Sequence, residues 1–320
     1  MKRPYFFEGF VLANLVLVTI VAYETTFLVR DALRIFGGLF LAIATQVVIG
    51  IGARVVIALV TKKRGYLRRL KRRAWLLDTL RLTFATTLMI FTYGWLKVAV
   101  PLLHGFNADL ALWNIDSLLG FAPSVLLLDL FARAGALRVI DWSYANVFYA
   151  SMLVALAFFF SHPSRRVRIA FANGNVALWL TGAWLYFALP SLGPAYRFPE
   201  LWFPYAESLP ITQNLQILLM RNWMDAARAF TGQPHGPISI ALGIAAFPSL
   251  HVGFQTYVFF WMRRLWTSGQ ILFAIFALVI FLGSMITGWH YLVDGLAGVL
   301  MAWLAYRFSN RHGTPNSSSL

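Results

Sequence analysis

The chain alternates between long apolar runs and short polar breaks. Eight runs, at about 6–28, 35–60, 80–103, 144–161, 169–189, 240–261, 271–288 and 290–308, have the length of membrane helices. A helix of roughly 18–25 residues crosses the ~30 Å of a hydrocarbon layer. The runs are continuous rather than alternating, which predicts helices and not barrel strands. The last two nearly touch, so the turn at Thr287, Gly288 and Trp289 must be tight. Segment 104–142 is too polar to span, and 125–136 within it predicts a short helix lying at the interface. Segment 190–239 holds seven prolines, from Pro190 to Pro237, and reads as a long connection that caps a site.

Composition agrees. The 320 residues are 59% hydrophobic and 12% charged, where a soluble domain carries about a quarter charged residues. The expected fold class is all-α: a polytopic membrane protein of about eight transmembrane helices. Residues 1–75 form two helices and a basic loop, 76–308 a catalytic membrane domain, and 309–320 a disordered tail. There are no cysteines, so thiolate metal sites and disulfides are excluded. The net charge of +15 speaks for topology signals and anionic membrane lipids rather than nucleic acid. Lys2 and Arg3 precede an apolar run too long for a signal peptide, which reads as a retained helix. With eight spans the basic groups share one side: Lys2 and Arg3, the 62–73 cluster, Arg165, Arg166 and Arg168, Arg263 and Arg264, Arg307 and Arg311. That side is the cytoplasmic one. It puts both termini in the cytoplasm and suggests a bacterial inner membrane.

Two polar islands interrupt the apolar background on the other side. One is Phe247-Pro248-Ser249-Leu250-His251, the other Gly288-Trp289-His290-Tyr291-Leu292-Val293-Asp294. A hairpin of the intervening runs returns both islands to one depth. His290 and Asp294 are four apart, so a helix sets them on one face, where the carboxylate fixes the imidazole tautomer and raises the basicity of its other nitrogen. A carboxylate inside a membrane is costly unless it has a task. His251 follows Pro248 and Ser249, a helix entry with free backbone N–H groups. This set suits attack on a phosphoryl group, with His290 as nucleophile and His251 as acid. Two histidines and an aspartate also suit zinc, but no third nitrogen or thiolate is near, so no metal or cofactor is expected.

These residues resemble motifs of the type 2 phosphatidic acid phosphatase (PAP2) superfamily. Pro248-Ser249-Leu250-His251 is similar to its second motif, and His290 to Asp294 followed by Gly298 to its third. Asp109-Leu110-Ala111-Leu112-Trp113-Asn114-Ile115-Asp116 and Leu189-Pro190-Ser191-Leu192-Gly193-Pro194-Ala195-Tyr196 resemble segments of its inositol phosphorylceramide synthase branch. The resemblance spans about 96–308 and implies a six-helix core. It implies metal-independent transfer through a phosphohistidine, with His290 as nucleophile, Asp294 as its partner and His251 as general acid. Two departures stand out. The usual first-motif Lys and Arg-Pro are absent, and Ser284 stands where the third motif has an Arg. A phosphate-binding cation must come from elsewhere. Arg197 beside Tyr196 is the first candidate and Lys97 the second, with Ser249 and Tyr196 as further phosphate-binding residues.

The resemblance therefore implies a headgroup transferase acting on a lipid phosphate at the extracytoplasmic face, with a lipid alcohol such as ceramide or diacylglycerol as acceptor. The alternative is a phosphatase acting on phosphatidate or polyprenyl phosphate. A transporter relaying protons through the His and Asp cluster would need polar groups at many depths and inverted repeats, and the sequence has neither.

Overall fold

A computed structural model of the chain describes residues 5–24, 32–62, 65–104 and 108–312. Lys2, Arg3, Lys63, Arg64 and the expected tail beyond His312 lie outside the described residues. Fourteen α-helices and three 3₁₀ turns, with no strand, make up the described residues: α1 Phe6–Glu24, α2 Ala32–Val60, α3 Gly65–Leu70, α4 Arg73–His104, α5 Asp109–Ser117, α6 Pro123–Arg133, α7 Leu137–Phe160, α8 Arg165–Ala188, α9 Pro194–Arg197, α10 Pro199–Trp202, α11 Pro210–Phe230, α12 Leu250–Leu265, α13 Gln270–Ile286 and α14 Leu292–His312. The protein is an all-α polytopic membrane protein. Five stretches among the described residues are long and apolar enough to cross a bilayer: Ala32–Val60, Arg73–Ala99, Leu137–Phe160, Thr267–Ile286 and Leu292–Arg311. The other three expected runs are helical in α1, α8 and α12.

The helices share one apolar core. It runs from Phe7 and Val11 of α1 and Val47 of α2 through Phe148, Phe159 and Phe171 to Val258 and Ala302. The two N-terminal helices thus pack into the same interior as the rest, with α1 against α4 and α8, and α2 against α4 and α7. Close approaches depend on glycine. A Cβ on Gly298 of α14 would stand 2.3 Å from the Ser249 carbonyl oxygen, and one on Gly50 of α2 would stand 2.1 Å from that of Ala157 in α7. Small residues let membrane helices approach to backbone contact.

Two expected elements differ in extent. Helix α12 starts at Leu250, ten residues after the expected 240, because Pro248 cannot continue a helix and biases its predecessor to extended backbone. Ser249 then caps the first turn, its hydroxyl accepting the Val252 N–H. Residues 243–249 instead run as a strap beside the site. The second difference is α11. The connection 190–239 is not an open loop: Thr212, Leu219, Asn222 and Ala226 form one buried stripe of a 21-residue helix. Proline clustering on either side masks this Pro-free stretch in the sequence. At the other end of the chain, α14 continues to His312, so its last turn occupies the start of the segment assigned to the tail.

Candidate active site

The turn between α13 and α14 carries His290. Gly288 ends α13 at φ 76°, a left-handed conformation that favours glycine. A Cβ there would also meet Ala195 and Trp202 at 2.6–2.7 Å. The Ser284 carbonyl accepts the N–H groups of Trp289 and His290 at 3.0 and 3.1 Å, which sets the His290 backbone. His290 therefore precedes α14, and the expected helical i, i+4 face becomes a helix entry. Asp294 stands in the first turn, where its Oδ2 accepts the Tyr291 N–H at 3.0 Å, as the third residue of a capping box does. The same Oδ2 lies 3.4 Å from His290 Nδ1. His290 is 4% exposed and Asp294 0%.

His251, on the first turn of α12, comes from the other island. Its ring centroid is 6.1 Å from that of His290, and Phe148 packs edge-on against it at 4.3 Å. The backbone joins the islands as well, because the Ser249 N–H donates to the Asp294 carbonyl at 3.0 Å. His251 and His290 both line a cavity of about 140 Å³. Lys97, from α4, lines it too and is the one Lys or Arg among its described lining residues. No carboxylate stands within ion-pair distance of Lys97 among the described residues. Gly243 of the strap presses on Lys97, since a Cβ would come within 2.8 Å of its backbone and side chain.

The other sequence-predicted residues fall elsewhere. Arg197 is exposed, its guanidinium over the Phe198 ring at 5.4 Å, and it does not line the cavity. The helix that ends at Arg197 turns it outward. Tyr196 donates its hydroxyl to the Gln216 carbonyl at 3.0 Å and packs against Trp289. Ser249 is fully buried and occupied as the α12 cap. Ser284 is 1% exposed, and its hydroxyl is spent on the Phe281 carbonyl, so it offers nothing to an anion.

The sequence reading did not count three carboxylates among the site residues, and the structure shows them holding the site loops. Asp109 of α5 accepts the N–H groups of Leu192 and Gly193 at 2.8–3.1 Å and the Tyr291 hydroxyl at 2.9 Å. Asp116, one heptad on and on the same face, accepts the N–H groups of Leu292 and Val293 at 2.7 and 3.0 Å, which caps α14 from a distant helix. Asp141 of α7 does the same for α11, taking Ile211 and Thr212 at 2.8 and 2.9 Å. Helix α11 passes the constraint on: Asn222 bonds Ser239 and Leu242, just before the strap. Burial pushes the Asp109 and Asp116 carboxyls above their ordinary value, against the N–H bonds that pull them down. The spacing of Asp109 and Asp116 was the available signal; what each caps depends on residues far away in sequence.

Among the described residues, no three His, Cys, Asp or Glu side chains cluster as a metal set would require. The arrangement offers instead an imidazole whose Nδ1 stands 3.4 Å from a carboxylate oxygen, a second imidazole across a small cavity, and an ammonium with no ion-pair partner among the described residues. A family model described as PAP2 superfamily matches residues 110–308. No curated protein and no solved structure matches.

Proposed function

The chain belongs to the PAP2 superfamily, and on that premise we propose that it transfers a phosphoryl group from a lipid phosphate through a phosphohistidine on His290. The observation that carries the reading is the meeting of His290, Asp294 and His251 at one cavity with Lys97. Asp294 keeps the proton on Nδ1 of His290, which leaves the Nε2 lone pair for phosphorus. Nε2 attacks, the P–O bond to the leaving group breaks, and His251 gives that oxygen a proton. In the second half His251 takes a proton from the acceptor, whose oxygen displaces His290. Lys97 balances charge on the phosphoryl oxygens throughout, the role the resemblance leaves open between it and Arg197.

The acceptor we put first is a lipid alcohol, which makes the protein a phospho-headgroup transferase of the inositol phosphorylceramide synthase type. Its support is the likeness of the Asp109–Asp116 segment to that branch, since these two carboxylates hold the loops around His290. Water as acceptor gives the alternative, a lipid phosphate phosphatase. We place the site on the extracytoplasmic side of an eight-span chain, in a bacterial inner membrane with cytoplasmic termini. Support comes from the basic groups Arg54, Arg69, Arg165 and Arg264, which are held at the opposite end by Ser161, Pro163, Asp78 and Asn310.

The test is a single turnover of the purified protein with radiolabelled lipid phosphates, with and without ceramide or diacylglycerol. Label in a new lipid only with acceptor present is expected of the transferase. Free phosphate released without acceptor would convert the reading to phosphatase. Chelation by EDTA is expected to leave turnover intact; a loss that zinc restores would overturn the metal-free chemistry.

A further inference from the structure

Beside the catalytic cavity lies a larger one, of about 300 Å³, that the steps above do not use. The two share Lys97, Phe148, Tyr149, Ala241 and His251 as lining residues, so the larger chamber begins where the phosphoryl group would sit. From there its walls become apolar: Leu156, Trp179, Phe254, and from α2 Ile35 and Leu39. One polar group interrupts this lining without a partner. Asn175 of α8 is 1% exposed, and its Oδ1 has no hydrogen-bond partner among the described residues.

We infer that this chamber receives the hydrocarbon chain of the lipid phosphate, and that α2 is therefore part of the substrate site. The inference rests on the phosphoryl-transfer reading and deepens it. A lipid phosphate has a charged end and an apolar chain, and the joined cavities offer the same sequence of environments: ammonium and imidazoles, then aromatic and aliphatic side chains. The wall formed by Ile35 and Leu39 lies outside the residues 110–308 that the family model matches. These two positions are four apart on one helix face. They fix the width of the chamber on that side, and with it the chain that fits.

Two experiments on the full chain in detergent test this. The first photolabels the protein with an alkyl phosphate carrying a terminal diazirine. Label at residues 35–39 and in the facing part of α4, competed by excess plain alkyl phosphate, is expected. Label confined to exposed positions of α2 such as Leu41 and Val48, or label that competitor does not displace, would overturn the inference. The second measures kcat/KM for hexadecyl and butyl phosphate in the Ile35→Trp and Leu39→Trp variants. The hexadecyl-to-butyl ratio is expected to fall about tenfold or more from that of the wild type. An unchanged ratio would remove α2 from the substrate site. If the wild type turns over neither ester, with or without a lipid alcohol acceptor, while the label still lands at residues 35–39, the phosphoryl-transfer reading fails and the chamber stands.

Discussion

The two ends of the helix bundle satisfy their buried carboxylates in opposite ways. At the end that holds His290, Asp109, Asp116, Asp141 and Asp294 accept mainly from backbone N–H groups. At the other end, Asp78 and Glu8 pair with arginine. Asp78 takes Arg165 at 2.5 Å with Arg168 at 3.9 Å, and Glu8 takes Arg81. A carboxylate bonded to an arginine neutralises it, and the pair becomes a structural tie. One bonded to neutral N–H groups fixes loops without using up a cation. The His290 end therefore leaves the Lys97 ammonium, which lines the cavity and lies 6.0 Å from the Tyr93 ring centroid, without a carboxylate partner among the described residues, as the anionic substrate proposed above would need. The Asp78 end has its charges spent on holding α1, α4 and α8 together.

Substitutions can break this contrast, and the largest effects fall at the cavity. His290→Ala is expected to reduce turnover roughly 10⁴-fold or more, and Asp294→Asn nearly as much, with thermal unfolding close to wild type in the His290 variant. His251→Ala is expected to cost about 10²–10⁴-fold. Full single-turnover activity in any of the three would remove the role assigned to it. Next comes the choice of cation. Lys97→Met is expected to lower kcat/KM by about 10²-fold, while Arg197→Gln stays close to wild type. The reverse result would move the phosphate contact out to the exposed loop.

A second pair of substitutions compares the ends directly. Asp116→Ala leaves the N–H groups of Leu292 and Val293 without their acceptor. It is expected to cost about 1–3 kcal/mol and to reduce activity as well, since those groups set the entry of α14. Asp78→Ala strips the buried Arg168 of its counter-charge. It is expected to cost about 3–5 kcal/mol while folded protein keeps its turnover per molecule. Unfolding curves with specific activity of the folded fraction separate the two. Equal activity loss in both would erase the distinction between site-holding and purely structural carboxylates.

The smallest effect is a pH dependence at the arginine-rich end. Burial, with Arg54, Arg168 and Arg69 nearby, lowers His162 from 6.5 to about 4, and its Nδ1 accepts the Ser164 N–H at 3.0 Å. A histidine depressed in the folded state stays neutral there while the unfolded chain takes up a proton. Its contribution is fully present above pH 6.5 and declines as the pH falls towards 4. The unfolding midpoint should drop across that window. His162→Asn, which keeps an acceptor for Ser164, should flatten the slope, and an unchanged slope would assign it to other groups.

Much of this was legible in advance because the bilayer constrains sequence severely. Each of the eight apolar runs lies on a helix over most of its described length, five with the length and hydropathy of spans, and the two polar islands do meet. What escaped was short-range or remote. Pro248 delays α12 by ten residues, and α11 was concealed between prolines. Asp109, Asp116 and Asp141 bond to N–H groups some 70 to 180 positions away, and no local pattern announces such partners. Arg197 and Lys97 were both plausible cations by composition, and only the packing of Gly243 on α4 and the outward turn at α9 separates them.

By itself the sequence determined the solvent and nominated the chemistry: apolar runs long enough for a membrane, and two histidines with one aspartate in islands that such runs bring together. Tertiary structure alone decided which cation faces the cavity, which carboxylates hold the loops, and that α2 helps to close a chamber next to His251. The physical reason is that hydrophobic length is a property of each segment, whereas a cap, a counter-charge or a cavity wall exists only between segments.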